Sequence, residues 1–454
     1  GLGIPAEPLV RSRDVEFKSG ADDRINGSVF GGGEMASLGW LDGNEFIEGT
    51  GTADITIGRT DQTVNPVIGT TLELNYGNLT PSDWTVYDAQ GNLIHTCTGN
   101  VIGGCQGDVD FEGWINSDMN TWNNWPYMGR SRTSNITING GTIMADVFGG
   151  PEQGRMDGDA TITVNGGTIG TNIGTTQNPV YYGGVYGAGY GSDDPDENDL
   201  PITVDGVETT AEMVAGRVYG NTLVHILGGE VRGDVCGGAN FAYLGGSGSN
   251  AKGNAEVNIG KLTGTDTYTG SATLKSRVFA ANNHSGTPYG NVTVNVYNTA
   301  HVGNPQAITP YSDLGNCYPI PAPNTPEQLD VYPQEYANYA IRSVYGGSNL
   351  ADYDPSNGKV ATVNVYACDT NTIYDVYGGS NAANVNTDTY VNIYGGRMHR
   401  VFGGGDGSGL NNPGANIFGT ANTTIYAGLI DELYGGSNTL GQVDETNLVV
   451  NEEG

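Results

Sequence analysis

The sequence predicts an all-β chain folded as a parallel β-helix (β-solenoid) of about nine coils, carrying a Trp-rich β insert and a Pro/Tyr-rich lateral loop. Three observations predict it. A strand-like phrase recurs along the chain, a second phrase ending in paired glycines recurs with it, and the tightest copies lie about 25 to 33 residues apart, the length of one solenoid turn.

The first phrase alternates apolar and polar residues and ends in glycine. It reads DITIG (54–58), NITINGG (135–141), TITVNGG (161–167), PITVDG (201–206) and LVHILGG (223–229). Further copies are AEVNIG (255–260), NVTVNVYN (291–298), ATVNVYA (361–367), TYVNIYGG (389–396) and NTTIYAG (422–428). Alternation with period two marks a strand with one buried face. The expected inward set is Ile55/Ile57, Ile136/Ile138, Ile162/Val164, Val224/Ile226, Val363/Val365 and Val391/Ile393.

The second phrase appears as VFGGG (29–33), VFGGP (147–151), VYGAG (185–189), VCGGAN (235–240) and VFAANN (278–283). It returns as VYGGSN (344–349 and 376–381), VFGGGD (401–406) and LYGGSN (433–438). Two short strands cannot bury an apolar face alone, so turns must stack on one another. The glycines then serve corners, through positive φ or close backbone approach. The neighbouring Asn and aromatic side chains, repeated at the strand spacing of about 4.8 Å, are expected to form ladders.

Five segments follow: an N-terminal segment with the first coil (1–59), the Trp-rich β insert (60–132), coils (133–302), the Pro/Tyr-rich loop (303–341) and further coils (342–454). Seven prolines between Gly303 and Ile341 argue against ladder pairing there. Glycine, 74 of 454 residues, lacks the every-third-residue spacing of collagen. A net charge of −32 excludes nucleic-acid and anionic-lipid partners, because phosphate binding requires clustered Lys and Arg. No apolar run reaches the length of a membrane span, so direct membrane insertion is not expected. The first residue is Gly rather than Met, which suggests a processed chain or an excised piece.

Four sets of residues are candidates for chemistry. Trp84, Trp114, Trp122 and Trp125 lie among Asn and Asp, a mixture suited to stacking on a glycan; the competing assignment is the insert's own core. Asp193, Asp194, Asp196, Glu197 and Asp199, together with Asp406 in GGGDGSGLN, offer oxygen ligands for calcium, the one cofactor suggested; a solvated acidic loop is the alternative. Cys97 and Cys105 can close a small disulfide loop. Asp146, Asp234, Asp375 and Glu432 precede copies of the second phrase. Stacked acids could serve a polysaccharide lyase or hydrolase, but recurrence at one repeat position points to turn chemistry. His95, His225, His284, His301 and His399 show no ligand spacing, and no GxSxG, HExxH or P-loop occurs, so an enzyme is not expected.

The phrases VNGGTI…VFGG, VNIYGG…VFGGGDG and VYGGSN resemble the glycine-rich strand repeats of large bacterial cell-surface proteins of the adhesin and surface-fibre kind. The likeness covers most of the chain outside the two inserts. It implies an extracellular, cell-surface location and a rigid stalk or fibre subunit. Self-association, end to end or laterally, and a glycan or cell-surface partner are the interactions expected.

Overall fold

The computed structural model describes residues 15–16, 24–43, 45–61, 65–72, 85–87, 93–97, 99–108, 129–172, 181–193, 201–204, 207–246, 252–300, 339–366, 371–407 and 414–451. Among them every regular element is a strand. Three parallel sheets, of eleven, ten and six strands, organise the chain. The long sheet holds the first phrase, from Val15–Glu16 through Thr52–Ile57, Thr133–Ile138 and Ala160–Val164 to Ile417–Ile425 and Val443–Val450. An aromatic sheet of ten strands holds the second phrase, from Val29–Phe30 to Leu429–Tyr434. In these three sheets strand order is chain order, so each strand pairs with the sheet's preceding and following strands along the sequence.

The inward columns explain this stacking. Ile136 pairs with Ile162, and Ile162 with Val224; Ile138 pairs with Val164, and Val164 with Ile226. All the inward residues named above are at most 1% exposed and belong to one continuous apolar cluster. Full burial of each such side chain contributes about 1.5–3 kcal/mol, and no single turn could achieve it alone.

The six-strand sheet is a third side that the two phrases conceal. Its strands are two-residue pieces such as Thr142–Ile143, Thr168–Ile169 and Glu230–Val231, lying between the phrases in GGTI, GGTI and GGEV. Two corrections accompany it. PITVDG does not join the long sheet: Pro201–Val204 pairs antiparallel with Val207–Thr210 in a side hairpin. Conversely VIGGC (101–105), part of the Trp-rich insert by sequence, supplies a rung, Val101–Ile102 pairing parallel with Val29–Phe30 and Val147–Phe148. The insert itself contributes a small antiparallel sheet of Thr71–Leu72, Leu93–Cys97 and Thr85–Tyr87.

The two glycine corners have different physical causes. Gly141 and Gly167, at the end of the first phrase, have φ of +90° and +88°, a region that disfavours any side chain. The paired glycines of the second phrase do not adopt positive φ; they are needed because the next turn is too close. A Cβ on Gly346 would stand 2.3 Å from the Gly378 carbonyl oxygen, and one on Gly378 2.2 Å from that of Gly403.

Side chains also tie each turn to the next. The Oδ1 of Asn221, Asn254 and Asn291 accepts a backbone N–H one turn on, from Asn254, Asn291 and Val360 at 3.1, 2.8 and 3.0 Å. Bonds of this kind satisfy corner donors that a tight turn leaves without a backbone partner.

Candidate functional site

Polar and ionisable side chains line the outward face of the aromatic sheet. Its strands put Val or Ile inward, and the next residue, usually Phe or Tyr, outward. These rings stack along the ladder: Phe148 on Tyr186 at 4.9 Å, Phe279 on Tyr345 at 4.7 Å, Tyr345 on Tyr377 at 4.7 Å, Tyr377 on Phe402 at 5.0 Å and Phe402 on Tyr434 at 4.8 Å. Cys236 occupies the same column without a ring. Beside the rings runs the Asn ladder of the GGSN corners. Asn283 donates to Asn240 at 2.8 Å, Asn349 to Asn283 at 2.7 Å and Asn438 to Asp406 at 2.8 Å; Asn381 and Asn349 face each other at 2.8 Å.

Two buried ion pairs cross this face. Arg277 grips Asp234 through Nη2 at 2.6 Å and lies over Phe279 at 5.1 Å from its centroid. Arg400 makes two bonds to Asp375, at 2.8 and 2.6 Å, and lies over Phe402 at 5.4 Å. The Tyr345 hydroxyl donates to Asp406 and that of Tyr377 to Asp375, at 3.3 and 3.1 Å. Burial, reinforced by these carboxylates, raises the Tyr345 and Tyr377 hydroxyls well above the usual range.

The acids that precede the second phrase each accept hydrogen bonds from nearby residues. Asp234 is saturated by donors: besides the two guanidinium bonds it accepts from Ser276 Oγ at 2.5 Å and from the Arg277 backbone N–H at 3.1 Å. Burial alone would push its carboxyl up, yet the Arg277 charge and these bonds hold it below the usual range. Glu432 accepts from the Tyr434 hydroxyl at 2.8 Å. Asp146 accepts the Gly184 N–H at 2.7 Å, and burial pushes its carboxyl up to about 7. His284 stacks on Phe241 at 4.7 Å and is lowered by burial to about 4, so it is neutral at physiological pH. These contacts link neighbouring strands of the aromatic sheet to one another.

A second face lies on the outside of the long sheet. Asn295 donates to Asn258, Asn364 to Asn295 and Asn392 to Asn364, at 2.8, 2.8 and 2.9 Å. Next to them Tyr297, Tyr366, Tyr394 and Tyr426 stack at 4.6, 5.3 and 4.6 Å. Each of these rings has at least one face turned to a neighbouring ring. The repeated Asn-x-Tyr of NVY, NVY and NIY was the sequence signal for this pair of ladders.

Trp84, Trp114, Trp122, Trp125, Asp194, Asp196, Glu197 and Asp199 lie outside the described residues. Asp193 is exposed at the edge of its loop. Asp406 is buried and occupied as a rung of the Asn ladder. Among the described residues no group of three or more His, Cys, Asp and Glu is arranged to hold a metal. Cys105 is a buried free thiol, pushed up to about 11 by that burial, with Sγ 3.7 Å from the Arg130 carbonyl; the Cys97 side chain lies outside the described set. No protein-family model, curated protein or solved structure matches this chain.

Asp146 gives a prediction with a definite sign. Its folded pKa lies above the unfolded value of 3.8, so the folded state retains a proton that the unfolded state has lost. Stability from this group is therefore complete below about pH 4 and declines as pH rises to about 7. Asp146→Asn keeps an acceptor for Gly184, as Asn100 does one turn earlier by accepting the Asp146 N–H at 3.0 Å. The substitution is expected to raise stability by about 1–2 kcal/mol at pH 8 and by little at pH 4. Denaturant melts at the two pH values check this.

Proposed function

We propose that this chain is a structural and adhesive protein of the extracellular bacterial surface, its strands wound as a β-solenoid into a rigid rod. The observation that supports this function is the pair of long parallel ladders, of eleven and ten strands, the ten-strand one with ring, amide and ion-pair side chains bonded along the stack. Side chains used in this way stiffen a spacer. Asp146, Asp234, Asp375 and Glu432 all accept hydrogen bonds from nearby residues. Placement at the cell surface is supported by the likeness of the glycine phrases to surface-fibre repeats, and the net charge of −32 favours solubility outside the cell.

Small-angle scattering of the purified chain tests the rod. Eleven strands at about 4.8 Å per step give an axis on the order of 50 Å, with the loops adding breadth on the flanks. A cross-section that stays constant along such an axis is the expected result. A profile with no such cross-section would overturn the assignment.

A further inference from the structure

The outer tyrosine ladder of the long sheet brings oxidisable rings into contact. Tyr297, Tyr366, Tyr394 and Tyr426 follow Val296, Val365, Ile393 and Ile425, which pair in register from strand to strand. Each tyrosine therefore lies beside the next at the parallel-strand spacing. Their ring centroids are 4.6, 5.3 and 4.6 Å apart, and their planes lie 18°, 12° and 5° from parallel. The phenolic edges are together as well. Burial raises the Tyr366 hydroxyl to about 12, and the neighbouring Tyr297 hydroxyl adds to the rise. The Tyr394 hydroxyl is raised by burial and then by that of Tyr426.

Accessibility sets this ladder apart from the aromatic sheet. Tyr297, Tyr366 and Tyr394 are only half-buried, on the outside of the long sheet. Tyr345 and Tyr377 stack as closely, at 4.7 Å, but are 3% and 1% exposed, with their hydroxyls engaged by Asp406 and Asp375. Packing is served equally by phenylalanine, as Phe148, Phe279 and Phe402 show in the aromatic column. The outer ladder has a phenol at all four positions.

We propose that the outer ladder is a site of oxidative cross-linking, in which a peroxidase using hydrogen peroxide joins Tyr297 to Tyr366 and Tyr394 to Tyr426. Each phenol gives up one electron and its hydroxyl proton. The two phenoxyl radicals then form one carbon–carbon bond between ring carbons ortho to the oxygens. The hydrogen on each joined carbon moves to its oxygen and restores both phenols. The two electrons and two protons reduce one hydrogen peroxide to two waters. Neighbours held by the fold couple faster than free rings, because their encounter is already made. The 5.3 Å step between Tyr366 and Tyr394 is left unjoined, since each is nearer to its other neighbour. Tyr268 approaches Tyr366 and Tyr297 only to 5.5 and 5.9 Å. Each bond fastens one strand of the ladder to the next, and it depends on the ladder geometry alone, not on where the rod is displayed.

For the test, the full chain, dilute enough for molecules to stay separate, is treated with a haem peroxidase and limiting hydrogen peroxide, then digested for mass spectrometry. The expected products are two linked peptide pairs, Tyr297 with Tyr366 and Tyr394 with Tyr426, each lighter by two hydrogens. Dityrosine fluorescence should accompany them in the single-chain fraction. Tyr366→Phe/Tyr394→Phe keeps the rings and removes one phenol from each pair. Its single-chain dityrosine is expected to fall at least about tenfold. No linked pair within single chains overturns the proposal, as do links that map chiefly to Tyr366 with Tyr394, to Tyr268 or to tyrosines outside the ladder. A double variant that forms as much single-chain dityrosine as the parent overturns it too. The peptide map of the parent decides the pairing even where the variant melts earlier.

Discussion

Gly378→Ala is expected to destabilise the chain by about 3–5 kcal/mol, more than most single-methyl additions cost. The added Cβ would stand 2.2 Å from the Gly403 carbonyl oxygen, 3.1 Å from its carbon and 3.1 Å from Thr389 Oγ1. None of these is the end of a flexible side chain. The Gly403 oxygen is fixed by the Thr389 hydroxyl at 3.1 Å, and the backbones are bonded on both sides, Gly378 N–H to Phe402 at 3.0 Å and Gly403 N–H to Tyr434 at 2.9 Å. Relief requires separating two rungs, which opens the ring stack Tyr377–Phe402 as well. Because each turn contacts chiefly its neighbours, the damage should be local. Amide exchange is therefore expected to lose protection first around 376–379 and 401–404, with the turns before Val224 retaining theirs. The same change at Gly436 should leave the melting temperature unmoved, which makes the pair a control for effects unrelated to close approach, such as altered backbone entropy in the unfolded chain. Equal melts for the two variants would remove close approach as the reason for the glycine.

How much of this was legible in the sequence follows from which interactions leave a periodic trace. Inward columns such as Ile136/Ile138 over Ile162/Val164 were readable because period-two alternation reports burial on one face directly. The Asn and aromatic ladders of GGSN were readable because stacking at a fixed strand spacing repeats identical side chains. The third sheet was not, since a two-residue strand such as Thr142–Ile143 is too short to display a period. PITVDG matched the alternation and still folded aside, because pattern fixes a strand but not its partner. VIGGC showed the opposite failure: with Ile where most copies have Phe or Tyr, and lying inside CTGNVIGGC between Cys97 and Cys105, it read as a loop. The glycines were assigned to corners correctly in kind, but only coordinates separate the φ-driven Gly141 from the contact-driven Gly378. The ion pairs escaped because Asp234 meets Arg277, and Asp375 meets Arg400, only across a turn of chain, 43 and 25 residues apart.

Arg400 carries the second large effect. Its side chain is 14% exposed and that of Asp375 7%, so the pair sits largely out of water. Burial opposes the guanidinium charge, but the hydrogen bonds and charge of Asp375 more than offset it and hold Arg400 firmly protonated. Arg400→Ala leaves the Asp375 carboxylate with the Tyr377 hydroxyl as its remaining side-chain donor, at 3.1 Å, and strips the cation from the Phe402 and Tyr374 rings at 5.4 and 5.8 Å. A buried charge left without its partner costs about 3–5 kcal/mol. Arg400→Lys should recover only part of the loss, because a single ammonium cannot reproduce two parallel bonds and ring stacking together. Asp375→Asn/Arg400→Met removes both charges and should recover most of it, since the net value of a buried pair over an apolar replacement is small. Denaturant melts of the three variants at pH 7 decide the matter. A double variant no more stable than Arg400→Ala would assign the role of Arg400 to ring packing, with the ion pair contributing nothing measurable.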